Sequence, residues 1–373
     1  MFRILVILVL LLLSVPSTYG AQVELRGVYM ELTDNLNYGV LPVVPDGDWR
    51  RLCRELKQLG VNAIFPNVVS PAGAIYPSNV VLQLPAYKRQ GMDESRNYLD
   101  NIITAAHEEE LEVHAWTIEW HNAPKNTDPD RLMRDAAGKT TNTLCPSQDG
   151  NRDLMRRMIL ELVKVYDIDG IQYDYMRFPS EKYCYCRHCR EKFEKAVGSP
   201  VANWPAEVIS GGRWEKKYLD YLYGTLNSFV RELYPLIKKA KPDMVVSAAV
   251  WAREKDSQVP GVRQDWGNWV RAGVLDFIAP MNYGNDWIIS HYNDFAQNEA
   301  KQVAGKMPLV FGLGAYADTA QGVVNAVKIS RGLKTNGFII YTLTQKTYRE
   351  HLPALYQKVW SEPAGVPRFG RAE

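Results

Sequence analysis

Short apolar runs recur along the chain, and amphipathic stretches separate nearly all of them. Eight runs can be counted: Leu25–Met30, Ala63–Val68, Val113–Thr117, Gly170–Tyr175, Val245–Val250, Phe277–Tyr283, Leu309–Leu313 and Phe338–Leu343. Each has the length of a strand, and the run opened by Asp169-Gly170 alternates with period two. The intervening helical patterns are Trp49–Leu59, Tyr98–Glu110, Arg152–Tyr166, Trp214–Lys239, Asp294–Ala304 and Ala320–Lys334, and Tyr348–Trp360 follows the last run. Strands alternating with helices demand parallel pairing through right-handed crossovers. Eight such units in about 250–350 residues predict an α/β fold of the (β/α)8 barrel type. A doubly wound open sheet is the alternative, but no glycine-rich phosphate loop follows the first run. No linker, repeat or low-complexity tract interrupts the pattern, so one barrel domain is expected over 21–361, with 362–373 a frayed, disordered tail.

Composition narrows the class. With 46% apolar and 23% charged residues among 373, the chain can bury a large core. The formal net charge is +2 and no basic tract is interleaved with aromatics, so nucleic acid is not an expected partner. The segment 1–20 has Arg3, the apolar run Ile4–Val15, then Ser17, Thr18 and Gly20. That order is a secretory signal peptide with cleavage near Gly20-Ala21. Its apolar part falls short of the ~20 residues that span a bilayer, and no second run reaches that length. The mature chain is therefore expected to be secreted or periplasmic, compatible with the cell envelope, and without a membrane span. Nothing in the sequence sets an oligomeric state.

Two connections stand out. The stretches 121–151 and 179–213, after the third and fourth runs, are long and rich in Pro, Gly, Asn and Cys. In a barrel they lie at the carboxyl face, where function is built. Asp174, at the end of the fourth run, shares a face with Gln172, while Ile171 and Tyr173 share the other. A capping role in the following turn is the alternative for Asp174. Of five cysteines, Cys184, Cys186 and Cys189 have a spacing that brings thiolates to one centre, with Cys145 in the neighbouring loop as the fourth ligand of a structural zinc. One disulfide with free thiols is the alternative. Cys53 falls on the apolar side of the first helix. A closed four-thiolate site leaves no position for a reactive water, so no cofactor for catalysis is expected.

Leu25-Arg-Gly-Val-Tyr, Val113-His-Ala-Trp, Asp169-Gly-Ile-Gln-Tyr-Asp-Tyr and Pro280-Met-Asn-Tyr-Gly resemble the glycosyl-hydrolase-like family 10 proteins. Their fourth strand, D-G-I-x-x-D-[DY], is followed by an aromatic-Pro step, as in Phe178-Pro179. The resemblance runs from about Glu24 to Tyr348 and implies an exported barrel glycosidase with a glycan substrate, peptidoglycan strands among the possibilities. The Cys-x-Cys-x-x-Cys loop looks like the zinc loop of family 42 beta-galactosidases. The fourth strand is also distantly similar to that of family 18 chitinases, D-G-x-D-x-D-x-E. In that register the last Asp falls on Asp174, and the acidic Glu falls on Met176.

Glycoside hydrolysis normally needs two carboxyl groups flanking the bond. Asp174 is the expected essential carboxylate. Glu119, beside Trp120, is the first choice for its acid partner, and Asp286 the reserve. Glu31 and Glu254 also end or follow strands, whereas Asp276 begins one and is excluded. Asn67 and Asn282 are expected to bond sugar hydroxyls, with Trp116, Trp251 and Tyr283 forming stacking walls and Tyr175 also among the substrate-binding residues. Arg177 is expected to hold the charge of Asp174 or to meet an anionic sugar. The competing reading is a non-catalytic glycan-binding barrel that has lost its acid.

Overall fold

The parallel pairing implied by the alternation is realised as a closed ring. A computed structural model describes residues 22–32, 35–84, 97–252, 258–283 and 286–371, the side chains of 286–293 excepted. The ring strands are β1 (Leu25–Met30), β2 (Ala63–Ser70), β3 (Glu112–Ile118), β4 (Gly170–Asp174), β5 (Val245–Val250), β6 (Phe277–Asn282), β7 (Phe311–Gly314) and β8 (Gly337–Tyr341). Every neighbouring pair is parallel, and β1 closes the ring by pairing with both β2 and β8. This is the eight-stranded (β/α)8 barrel expected from the pattern.

Helices α1 (Trp49–Gln58), α2 (Tyr98–Glu108), α3 (Asp149–Val165), α4 (Arg187–Val197), α5 (Glu215–Ala240), α6 (Trp266–Ala272), α7 (Asp286–Val303), α8 (Ala320–Gly332) and α9 (Leu352–Lys358) lie along the chain between and after the strands. In α1 the buried residues Trp49, Leu52, Cys53 and Leu56 recur at helical spacing, and Asp48 caps the first turn through the Arg51 N–H at 2.9 Å. Two helices depart from the sequence reading. The first, α4, lies inside a stretch read as loop, because only Cys189 and Phe193 on it are buried. The second, α6, is seven residues long, too short to display a period, although Asp265 caps it through the Asn268 N–H. In addition, α7 begins at Asp286 rather than Asp294, and a π turn at Thr347–His351 leads into α9. The long loop after β3 carries its own antiparallel ribbon, Leu132–Arg134 with Thr140–Leu144.

Two apolar cores follow from the period-two alternation. Leu25, Tyr29, Phe65, Trp116, Val245, Phe277 and Ile339 fill the barrel, while Ile171 and Tyr173 of β4 join the outer core packed against the helices. Gly170, at the start of β4, is fixed by close approach. A Cβ there would stand 2.2 Å from Nδ1 of His114, whose ring stacks on Phe65 at 4.7 Å. Asp276, at the opposite end of β6 from the cleft, pairs with Lys238 at 2.8 Å and accepts the Tyr234 hydroxyl at 2.8 Å.

The tail expected to fray is placed as far as Arg371. Ala364–Gly365 pairs with Gln22–Val23, and Arg26, buried against Glu24, holds the carbonyls of Trp360 and Glu362 at 2.9 and 2.7 Å. Phe369 is buried in the inner core with its ring 4.6 Å from Phe277. It seals the floor of the barrel, which would otherwise expose that layer of rings to water. Phe369→Ala should lower unfolding stability by about 3 kcal/mol, read as a lower denaturant midpoint at unchanged slope.

Candidate active site

At the carboxyl ends of the strands a cavity of about 580 Å³ opens, lined from β1, β2, β3, β4, β5, β6 and β8 and the loops beyond them. Its size suits a small-ligand cleft. Asp174, the last residue of β4, stands in its wall with 6% of its surface exposed. One carboxylate oxygen, Oδ2, accepts the indole N–H of Trp116 at 3.1 Å. The other, Oδ1, accepts the Tyr175 backbone N–H at 2.6 Å and the guanidinium of Arg177 at 3.1 Å. The carboxylate is thus oriented by three donors from two adjacent strand ends.

The backbone around it is unusual. Tyr175, Trp120 and Asn122, just beyond β4 and β3, all have left-handed φ angles of 55°, 58° and 61°. Non-glycine residues adopt that conformation at a cost, and such positions gather at functional sites. The turn at Tyr175 brings Arg177 back over the cleft. Its guanidinium lies 4.3 Å from the Tyr175 ring and 5.6 Å from that of Trp251, a cation–π setting on both sides. Arg177 is 8% exposed, so it is neither a loose rim ion pair nor free for an anionic sugar. His121, its ring tilted against that of Tyr175 with centroids 4.3 Å apart, is held down to about 4 by burial and by the charge of Arg177, and stays neutral above that pH.

Glu31, one residue past β1, is the second carboxyl in the cavity wall. It accepts the Tyr341 hydroxyl. Burial raises its pKa; the Tyr341 hydrogen bond opposes that shift, and the charge of Asp174 adds to it. Glu119, the first choice from sequence, is not in the wall. It is fully buried, with Oε1 accepting the Thr117 hydroxyl at 2.5 Å, and burial drives its pKa well up. Trp116 and Ile118 line the cleft, so the alternation of β3 turns Thr117 and Glu119 the other way. Trp120 is buried as well, edge-on to Phe229.

Asn282 is turned away by the same alternation on β6 and donates to Glu299 at 2.8 Å in the protein interior. Asn67, Trp116, Tyr175, Trp251 and Tyr283 all line the cavity as expected. Glu254 and the side chain of Asp286 lie outside the described residues. Sequence reasoning named Tyr283 but missed Tyr341 and Tyr316, which extend it into a tyrosine wall. There Tyr283 and Tyr341 stack at 4.7 Å, and Tyr316 stands edge-on to Tyr341. Tyr341 shares the phase of Ile339 along β8, and that inward phase was the available signal.

The four loop cysteines come together. Cys145 leaves the ribbon, Cys184 and Cys186 precede α4, and Cys189 lies in its first turn; all four are buried with their sulfurs within 4.8 Å of one another. Cys145 stands 3.5 Å from Cys186, 3.5 Å from Cys189 and 3.9 Å from Cys184. A disulfide needs about 2.05 Å. Four thiolates at about 2.3 Å from a tetrahedral ion stand roughly 3.8 Å apart, so the cluster can hold a metal ion. Cys53 sits apart in α1, its thiol pushed up to about 12 chiefly by burial.

The family described as glycosyl hydrolase-like 10 matches residues 24–325. Glycosyl hydrolase YngK of Bacillus subtilis (strain 168) is 25% identical over 309 residues, 73% of this chain and 56% of that protein. Glycosyl hydrolase DigH of Escherichia coli (strain K12) is 23% identical over 261 residues, 61% and 56% of the two chains. The chain thus spans little more than half the length of these relatives. In structure, the PgaB (BpsB) glycoside hydrolase domain from Bordetella bronchiseptica is similar with a TM-score of 0.67 at 14% identity, covering 89% of this chain and 98% of that one. A beta-galactosidase from the psychrophilic Marinomonas ef1 gives 0.63 at 12% identity over 93% and 57%. These structural likenesses bear on the fold. The family match, which takes in the first seven strands and most of the cleft built on them, does more: this chain belongs to the glycosyl hydrolase-like 10 family.

Proposed function

We propose that the protein hydrolyses glycosidic bonds of a polysaccharide or cell-wall glycan, with Asp174 as its essential carboxylate. The observation that carries this reading is the pairing of two differently situated carboxyls in one cleft. Asp174 is fixed by Trp116, Arg177 and the Tyr175 N–H, and Glu31 is held above the usual carboxylate range by burial. Two carboxyls situated so differently can divide the labour of hydrolysis. Glu31, in place of Glu119, protonates the oxygen of the departing sugar as its bond to the anomeric carbon breaks. Asp174 meets the positive charge that develops on that carbon, as nucleophile or as electrostatic stabiliser, and water completes the exchange.

A screen of the purified protein against peptidoglycan glycans, chitin and plant polysaccharides tests the activity. Glu31→Gln tests the assignment. Hydrolysis should need Glu31 protonated, so the rate should fall as pH rises through its raised pKa. Glu31→Gln should reduce turnover of natural glycans by about 10²–10⁴, spare aryl glycosides with good leaving groups, and lose the alkaline limb of the pH profile. An unchanged profile would reject Glu31 as the acid.

The second reading, a glycan-binding barrel without catalysis, draws on Met176. That residue is buried and accepts the Trp120 indole N–H where a family 18 enzyme carries its acid. Binding without cleavage across the screen would establish it.

The all-sulfur cluster fits zinc, with four thiolates closing the coordination shell and joining the ribbon after β3 to the start of α4. Such an ion stabilises the two loops that flank the cleft and takes no part in the reaction. Export rests on the leader 1–20, which lies outside the described residues; among those described, no helix is long and apolar enough to cross a membrane.

A further inference from the structure

We infer that the cleft continues outward into an additional sugar subsite built by Tyr38 and Tyr316, and that the substrate is a chain longer than a disaccharide. This rests on the glycosidase reading and deepens it.

The tyrosine wall does not stop at the cavity edge. From the Tyr283–Tyr341 stack, Tyr316 stands edge-on to both rings at 6.4 and 5.7 Å, and Tyr38 meets Tyr316 at 5.9 Å. Tyr316 still lines the cavity, whereas Tyr38 lies beyond it. These two rim rings are 38% and 41% exposed, and Leu36, two residues before Tyr38 in the chain, is 68% exposed. Large apolar groups left in water next to a cleft mark a binding surface. A half-exposed tyrosine offers a flat face to the C–H groups of a pyranose and a hydroxyl to its polar edge.

The platform is also held in place. The loop carrying Tyr38 is tied to the backbone of Glu31 by the Val40 N–H at 2.9 Å and is anchored by buried Val40, Leu41, Val43 and Val44. A rim ring fixed to the strand end that carries the proposed acid gives a chain lying across Asp174 and Glu31 a preformed place to rest, at little ordering cost. A tyrosine face stacks on the C–H groups of a pyranose without needing charge, so neutral sugars serve as probes. Among the described lining residues Arg177 is the one cation, and it is committed to Asp174.

The test uses Asp174→Asn, which should bind without cutting, in titration calorimetry. The probes are the di- and hexasaccharides of β-1,4-linked N-acetylglucosamine, glucose and mannose. At least one hexasaccharide should bind more than about tenfold tighter than its disaccharide. Adding Tyr38→Ala should remove most of that advantage while moving the disaccharide Kd by less than about twofold, and Tyr38→Phe should restore it. Equal affinity for short and long sugars, or a hexasaccharide advantage that survives Tyr38→Ala, would overturn the subsite and leave the glycosidase reading standing. If no probe binds and the parent protein cleaves nothing in the polysaccharide screen, the reading falls and the subsite with it.

Discussion

Asp174→Asn should lower kcat/KM by about 10²–10⁴ on a verified substrate, the range lost when one positioned carboxyl is removed from the chemistry. The substitution keeps size and shape but cannot keep all three hydrogen bonds. Asn has one acceptor oxygen, so either the Trp116 indole or the pair formed by Tyr175 and Arg177 must face an NH2 group. An orphaned donor of this kind costs about 1–3 kcal/mol, well within what a barrel of this size tolerates. A modest fall in Tm with unchanged circular dichroism should therefore accompany a near-complete loss of turnover. Cleavage at the parental rate by Asp174→Asn would reject the mechanism.

Cys186→Ser should have the second large effect, on metal content and stability. Elemental analysis of the parent should give about one zinc per chain, and the variant should lose most of it. Apart from the cluster, the ribbon after β3 and the start of α4 are held together mainly by the Tyr185 N–H to the Arg134 carbonyl at 2.8 Å and the Arg187–Asp130 ion pair at 2.8 Å. Cys145 leaves the ribbon, its N–H bonded to the Arg131 carbonyl at 2.9 Å, while Cys184, Cys186 and Cys189 surround the start of α4. With a ligand gone and the ion lost, the three remaining buried thiolates lose the charge that neutralises them, must take up protons, and the two loops separate. A fall in Tm of roughly 10 °C is expected, matched by chelator treatment of the parent. Hydrogen exchange should quicken in 129–145 and 180–197 and stay slow in the barrel strands. A metal-free parent with a mapped disulfide among these cysteines would exclude zinc.

The barrel was legible because each strand buries both faces and so reads as an apolar run of the right length. What escaped was short or thinly apolar: α6 has too few turns for a period, and α4 buries only Cys189 and Phe193. At the site, Asp174 was found by counting alternation from Ile171. Glu119, one residue past β3, and Asn282, the last residue of β6, were misplaced because the alternation was not counted to the strand ends, where a shift of one residue reverses the face. Trp116 and Ile118 line the cleft, so Glu119 cannot. Glu31 and Tyr341 obey the inward phase of Tyr29 and Ile339, but their pairing spans the ring closure and has no local signature. Cys145 needed the two loops to be recognised as neighbours. Phe369 gave no warning, one aromatic among small and charged residues at the end of the chain.

The joining of β8 to β1 sets the order of events during synthesis. Thr342, just past β8, donates to the Tyr29 carbonyl from 313 residues away, so the ring cannot shut until nearly all of the barrel sequence has left the ribosome. Until then the growing sheet has unpaired edges, and its last contacts are the most distant in sequence and the slowest to form. With the proposed leader in use, that delay is an advantage, because a nascent chain that has not closed its ring presents no folded barrel to be unravelled before translocation. The same delay should make renaturation from denaturant slow and prone to aggregation, with Tyr29 and Trp116 fluorescence recovering late.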